Sequence, residues 1–170
     1  VAAVVMATLV VGPFHLAHAF GLDTARVGLA MSVGPVVAAL AGVPAGRFVD
    51  RFGALPTACA GLAALLAGCL GLGLAPDSLR LAGYLVPLAV VTAGHALFQA
   101  GNQTVVMAEA ADTQRGTVSG LLNLSRQLGF ITGTALLGAV FAATGLRPTF
   151  AVAAGLAAVG LAVTPGTGSG

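Results

Sequence analysis

The chain has 170 residues, 58% of them hydrophobic and only 7% charged, with a formal net charge of +2 and a mean hydropathy of +1.02. A water-soluble domain carries about a quarter charged residues, so the polar surface needed to cover a soluble core is missing, and the composition describes a bundle whose outer face meets lipid. Seven Arg, no Lys and five acids are too scattered for a nucleic-acid-binding surface. Trp is absent and Tyr occurs once, so the aromatic belt of many membrane proteins is nearly missing. The charge deficit is the larger departure, and it decides for the membrane.

A spanning helix needs roughly 20 mostly apolar residues. Six stretches qualify, at about 1–20, 27–47, 55–75, 81–108, 117–144 and 148–163. The links between them are short and polar, so neighbouring helices run antiparallel. Residues 1–165 are therefore expected to form one all-α membrane unit, a six-transmembrane-helix bundle without a soluble domain, followed by a flexible tail at 166–170. The first span begins at Val1 with neither an initiator Met nor a basic segment before it, which reads as the interior of a longer protein rather than a signal peptide. His15 and His18 close that span; without further ligands nearby they read as interface histidines and not as a metal site.

The second span ends in the octet Gly46-Arg47-Phe48-Val49-Asp50-Arg51-Phe52-Gly53, which reads as a tight hairpin at the membrane surface. Pro13, Pro35, Pro44 and Pro87 lie in or near spans and each removes a backbone donor; bent helices suit a bundle that lines a cavity. Cys59 and Cys69 are ten residues apart, about 15 Å along a helix, too far for a disulfide. Both read as small lipid- or core-facing residues. Gly42/Gly46, Gly116/Gly120 and Gly129/Gly133 have the GxxxG spacing that lets helix backbones approach in lipid.

The fourth span places His95, Gln99, Asn102 and Gln103 on one helical face. Polar groups are costly against lipid, so this face should turn to a cavity or a partner helix. Two readings stay open: a solute-lining stripe, or hydrogen bonding that glues helices together. Glu109, Asp112 and Arg115 then form a solvated link. The fifth span carries Ser119, Asn123, Arg126 and Gln127, again spaced as one polar face. Arg126 is expected about 13 Å into its helix, where it needs water, a carboxylate or carbonyls around it. It is either an electrostatic contact on a solute path or a snorkelling side chain.

No P-loop, Cys-x-x-Cys or HExxH occurs. The Gly-x-Ser-Gly of intramembrane serine proteases fails at Thr117, where it needs Gly. No catalytic residue and no metal ligand is expected. The positive-inside rule does not orient the chain: Arg47, Arg51 and Arg115 on one side balance Arg26, Arg80 and Arg147 on the other.

The octet, lying between the second and third spans, resembles the cytoplasmic-loop signature of the major facilitator superfamily. The stretch Gly116-Thr-Val-Ser-Gly-Leu-Leu-Asn-Leu-Ser-Arg-Gln-Leu-Gly129 is similar to the penultimate helix of that superfamily's 14-span drug:proton antiporter branch, as is Gly34-Pro35 followed by Gly42-Val43-Pro44-Ala45-Gly46. One departure is Ala54-Leu55-Pro56, where basic residues often follow the signature. The resemblance implies one half of a major facilitator fold, the C-terminal one, with a solute path between two six-helix halves.

It further implies a secondary active transporter: proton-coupled efflux of drugs or small amphipathic metabolites by rocker-switch alternating access, in the plasma membrane of a bacterium. Gly46, Arg47, Asp50, Arg51 and Gly53 would be the gating motif. Asp50 would sit near a helix N-terminus of the facing half, Arg47 and Arg51 would pair with it or with facing carboxylates, Gly46 would allow close approach and Gly53 the tight turn. His95, Gln99, Asn102, Gln103, Ser119, Asn123, Arg126 and Gln127 would be the substrate-path candidates. No cofactor is implied beyond the proton gradient, and since no Asp or Glu lies mid-span, the coupling carboxylate is expected in the other half. The implied partners are the lipid bilayer, a small-molecule substrate and the N-terminal half, with no nucleic acid. An uptake carrier of the same superfamily is the alternative; from other classes, a non-transporting membrane scaffold or an intramembrane protease.

Overall fold

The computed structural model describes residues 1–20, 23–74 and 80–163, apart from the side chains of 7, 10, 11, 14–16, 18–20, 80, 112 and 146. Six α-helices follow one another: α1 (Ala2–Phe20), α2 (Thr24–Phe52), α3 (Ala54–Leu74), α4 (Arg80–Glu109), α5 (Arg115–Thr144) and α6 (Leu146–Val163), with one short 3-10 turn (Asp112–Gln114) before α5. No strand occurs among the described residues. Thr24–Phe52, Ala54–Leu74, Leu81–Glu109 and Arg115–Thr144 are long and apolar enough to cross a membrane, and Arg147–Val163 is a shorter apolar helix. The side chains of His15 and His18, the Asp77 link and the tail from 164 onward lie outside the described residues.

The octet is not a loop. α2 was expected to end near Arg47, yet it continues to Phe52. Polarity ends a hydrophobic run without ending a helix, and no residue from Gly46 to Phe52 prevents helical dihedrals from continuing. At 29 residues α2 is about 44 Å long, against a hydrocarbon core of about 30 Å, so its last turns extend beyond the apolar layer. The whole reversal falls on Gly53, and α3 starts at the next residue.

Gly53 (φ 90°, ψ 162°) occupies a backbone region that is essentially restricted to glycine. Its N–H donates to the Val49 carbonyl at 2.9 Å, closing α2. The same joint recurs between α5 and α6. Gly145 (φ 85°, ψ −167°) donates to the Phe141 carbonyl at 2.9 Å. Each glycine opens the sequence Gly-x-x-Pro-Thr, as Gly53 to Thr57 and as Gly145 to Thr149. The proline is harmless there, because the first four N–H groups of a helix have no intrahelical partner. The buried threonine hydroxyl donates back to the glycine carbonyl, at 2.7 Å from Thr57 and 2.8 Å from Thr149. The chain is thus two three-helix repeats, α1–α3 and α4–α6, of opposite sense across the membrane. The crossed pairs α1 with α5 and α2 with α4 pack against each other accordingly.

The most extensive packing joins α3 to α4. A methyl on Gly61 would fall on the Phe98 amide and the Gly94 carbonyl; one on Gly94 would lie 2.9 Å from the Gly61 carbonyl. One on Gly101 would lie 2.5 Å from the Ala54 carbonyl. Around this contact sits the core of Val4, Leu62, Leu65, Cys69, Leu72, Leu88, Val91 and Phe150. Cys59 and Cys69 are both free thiols, the first half-buried and the second buried. The single tyrosine is no interface anchor: Tyr84 is buried and its hydroxyl donates to the Thr8 carbonyl of α1 at 3.4 Å.

Of the three GxxxG pairs, only Gly129/Gly133 packs within this chain, against Ala2 and Ala3 of α1. Gly42, Gly46, Gly116 and Gly120 have nothing within 4 Å of an added methyl. They lie on α2 and α5, whose outer faces expose Leu29, Leu40, Leu121, Leu128 and Ile131.

Gly145 also has open space around it, so Gly145→Ala tests the backbone dihedral alone. The expected loss is about 1–3 kcal/mol, seen as a lowered midpoint in thermal unfolding of the detergent-solubilised full-length protein. Gly155→Ala, in equally open space but within regular helix, leaves the midpoint in place.

Candidate functional site

α4 carries its small residues and its polar residues on two stripes. Val91, Gly94, Phe98 and Gly101 face α3. His95, Gln99 and Asn102 each follow one of these by a single position, which turns them by roughly 100° around the helix. They therefore look past α3 towards α5. His95 lies near the middle of Arg80–Glu109, about 21 Å from the Glu109 end.

On α5 the close contact of Gly129 and Gly133 with α1 fixes the helix rotation. Leu122, Ser125, Arg126 and Gly129 then turn to the α4 polar stripe. The two faces and the start of α1 border a half-open cavity of about 270 Å³. His95, Phe98, Gln99, Asn102, Gln103, Leu122, Ser125 and Arg126 line it, together with Ala2, Ala3 and Gly129. Most of its wall is apolar, and its polar groups converge from α4 and α5.

Five of the eight substrate-path candidates meet there: His95, Gln99, Asn102, Gln103 and Arg126. Ser119, Asn123 and Gln127 do not. Asn123 and Gln127 are exposed, on the side of Arg126 away from Leu122, Ser125 and Gly129. The spacing of four, three and four showed that these residues share a broad face, but a face wider than about 100° can straddle two environments. Ser119 points the same way as Arg126 but lies about 10 Å nearer the start of α5, where its hydroxyl donates to the Gly116 carbonyl at 2.9 Å. Asn123 and Gln127 thus stand outside this cavity, on an exposed face of α5. Ser125, Phe98 and Leu122 are lining residues that a search for polar spacing passes over; the Gly129/Gly133 pair is the signal that would have oriented α5 and found Ser125.

Two electrostatic features stand out in the cavity. Arg126 lies about 16 Å from the start of α5, deeper than expected because the helix begins at Arg115. The Nδ1 atom of His95 is buried without a hydrogen-bond partner. No cluster of three or more potential metal ligands exists among the described residues.

At the end of α2, Arg47, Asp50, Arg51 and Gly53 are exposed and Gly46 is half-buried. Arg51 does not pair with Asp50: its guanidinium lies over the Phe52 ring, 5.4 Å from the centroid, and the Phe48 and Phe52 rings sit 5.2 Å apart. Gly53 makes the turn between α2 and α3. A methyl added to Gly46 meets nothing within 4 Å among the described residues.

Comparisons with known proteins bear on the fold and the family. The Major Facilitator Superfamily model matches residues 1–166. The uncharacterized transporter YebQ of Escherichia coli is 30% identical over 132 residues, which is 78% of this chain and 29% of that protein. The multidrug efflux pump LfrA of Mycolicibacterium smegmatis is 28% identical over 129 residues, 76% of this chain and 26% of that protein. The chain spans less than a third of the length of these relatives. The crystal structure of the peptide transporter POT (E310Q mutant) in complex with sulfate superposes on 98% of this chain and 35% of its own, with a TM-score of 0.88 at 18% identity; at that identity the match carries the fold alone. The bundle has a multi-pass membrane architecture and is matched by the family over nearly its whole length, and the chain belongs to the Major Facilitator Superfamily.

Proposed function

We propose that residues 1–165 are the C-terminal half of a secondary active carrier that exports drugs or small amphipathic metabolites, driven by a proton gradient, across the plasma membrane of a bacterium. The observation that carries this reading is the cavity: polar residues on α4 and the deep arginine of α5 converge on one partly apolar space within the bundle. Polar groups at membrane depth are expensive unless they serve water, a partner or a solute. Kinship with a multidrug efflux pump favours export over uptake. The partners on this reading are lipid, the small-molecule substrate and the N-terminal half of the same carrier.

The mechanism is alternating access. The exposed apolar faces of α2 and α5 are the surfaces against which the facing half packs and rocks. Asp50 sits in the last turn of α2, where the carbonyl end of its own helix disfavours a negative charge. A positive helix end across the interface would relieve that cost and so hold the inner side shut. Arg47, exposed beside it, is available to a carboxylate of the facing half. Asp23 caps the start of α2, accepting from the Arg26 amide at 2.9 Å, and Asp50 and Glu109 lie in the last turns of α2 and α4. With these acids at helix ends, the coupling carboxylate is assigned to the remainder of the carrier.

Two experiments on the full-length carrier test this. In a Cys59→Ala/Cys69→Ala background, a water-borne maleimide is expected to label Gln99→Cys and Asn102→Cys and to spare Leu88→Cys, which lies in the packed core. Equal protection of all three would remove the solute path. Asp50→Asn is expected to slow export into everted membrane vesicles by about tenfold, the weight of one lost charge-assisted contact. Unchanged export kinetics at normal expression would remove the gate.

A further inference from the structure

Taking the carrier reading as its basis, we propose that the cavity between α4 and α5 selects amphipathic acids, with Arg126 holding the anionic head group and Phe98 and Leu122 receiving the apolar body. Among the described residues, Arg126 is the only charged side chain that lines the cavity. The acids whose side chains are described, Asp23, Asp50 and Glu109, stand at helix ends, and none reaches the cavity wall. A guanidinium at this depth needs an anion or water around it. Its planar fork matches a carboxylate or phosphate in a two-bond geometry.

The surrounding polar groups suit the same ligand. A carboxylate offers about four lone pairs, more than one guanidinium occupies. The amides of Gln99, Asn102 and Gln103 supply N–H donors on the facing wall, and Ser125 adds a hydroxyl one residue from Arg126. His95 Nδ1, buried and unpartnered, is a further donor whenever its ring carries the proton on that nitrogen. Phe98 and Leu122 add apolar surface to the lining that a sugar or a small inorganic anion would leave unused. A cationic amphipath of the same shape would meet the arginine's charge without a carboxylate to offset it.

The test uses the purified full-length carrier and three probes of one shape: 2-naphthoate, 2-naphthamide and 2-naphthylmethylammonium. Half-saturation is read from the rise in the thermal unfolding midpoint. The naphthoate is expected to saturate at a concentration at least about tenfold below either of the other two. Arg126→Gln should bring the three together, and Arg126→Lys, which keeps the charge if the Gln variant fails to fold, should retain the preference for the acid. Three results overturn the proposal: preference for the ammonium, an acid preference that survives Arg126→Gln, or no saturable effect of any probe. Counterflow of the same probes in proteoliposomes separates this from the carrier reading. Saturable exchange of the ammonium that is changed by Gln99→Ala leaves a carrier with this cavity and sinks only its choice of acids.

Discussion

The approach of α3 to α4, backbone against backbone at Gly61 and Gly94, is the constraint from which the site follows. In lipid there is no hydrophobic gain in bringing two helices together, so the gain must come from close packing over a long contact. Side chains at these positions would hold the helices apart and forfeit it. Once the small stripe of α4 is committed to α3, the rotation of α4 is settled. His95, Gln99 and Asn102, each one residue further along, must then face away from that contact. The polar wall is thus fixed by the register of glycines that never touch the cavity.

α5 obeys the same rule with another partner. Gly129 and Gly133 lie against Ala2 and Ala3, and this commits Ser125 and Arg126 to the space that α4 leaves open. Beyond these positions α5 buries little: Gly133 and Leu137 are its buried residues. α2 is similar, with Ala30 and Ala45 buried along its length. A bundle whose two longest apolar faces stay open while its centre is packed at van der Waals contact is built to be completed by something else of similar size.

Much of this was legible in the sequence, and the parts that were not have identifiable reasons. Helix number and approximate position follow from the thickness of hydrocarbon, which sets the length of an apolar run. The single polar face of α4 follows from helical periodicity. The end of α2 did not, because hydropathy locates the edge of the membrane while the helix stops only at a residue such as Gly53. The polar face of α5 divides between the cavity and an exposed side, since spacing says which residues are near one another and not which way they look. The α3–α4 contact was missed for a simpler reason: Gly61 and Gly68, like Gly94 and Gly101, are seven residues apart. That is two helical turns, outside a search for glycines four apart. The repeated Gly-x-x-Pro-Thr is plain in the letters, but only the positive φ angles show that it makes a corner.

Those corners have a mechanical meaning. Gly53 and Gly145 each leave a single residue between two long rods, and one residue has only two soft torsions, both held here by the amide and threonine bonds on either side. α2 with α3, and α5 with α6, are elbows locked at one bend. The two rods of each elbow therefore keep one fixed angle, and α3 carries that angle into its packing against α4. Between the two elbows stands α4, and the second repeat leaves regular α-helix from Ala110 to Gln114 before its own elbow begins at Arg115.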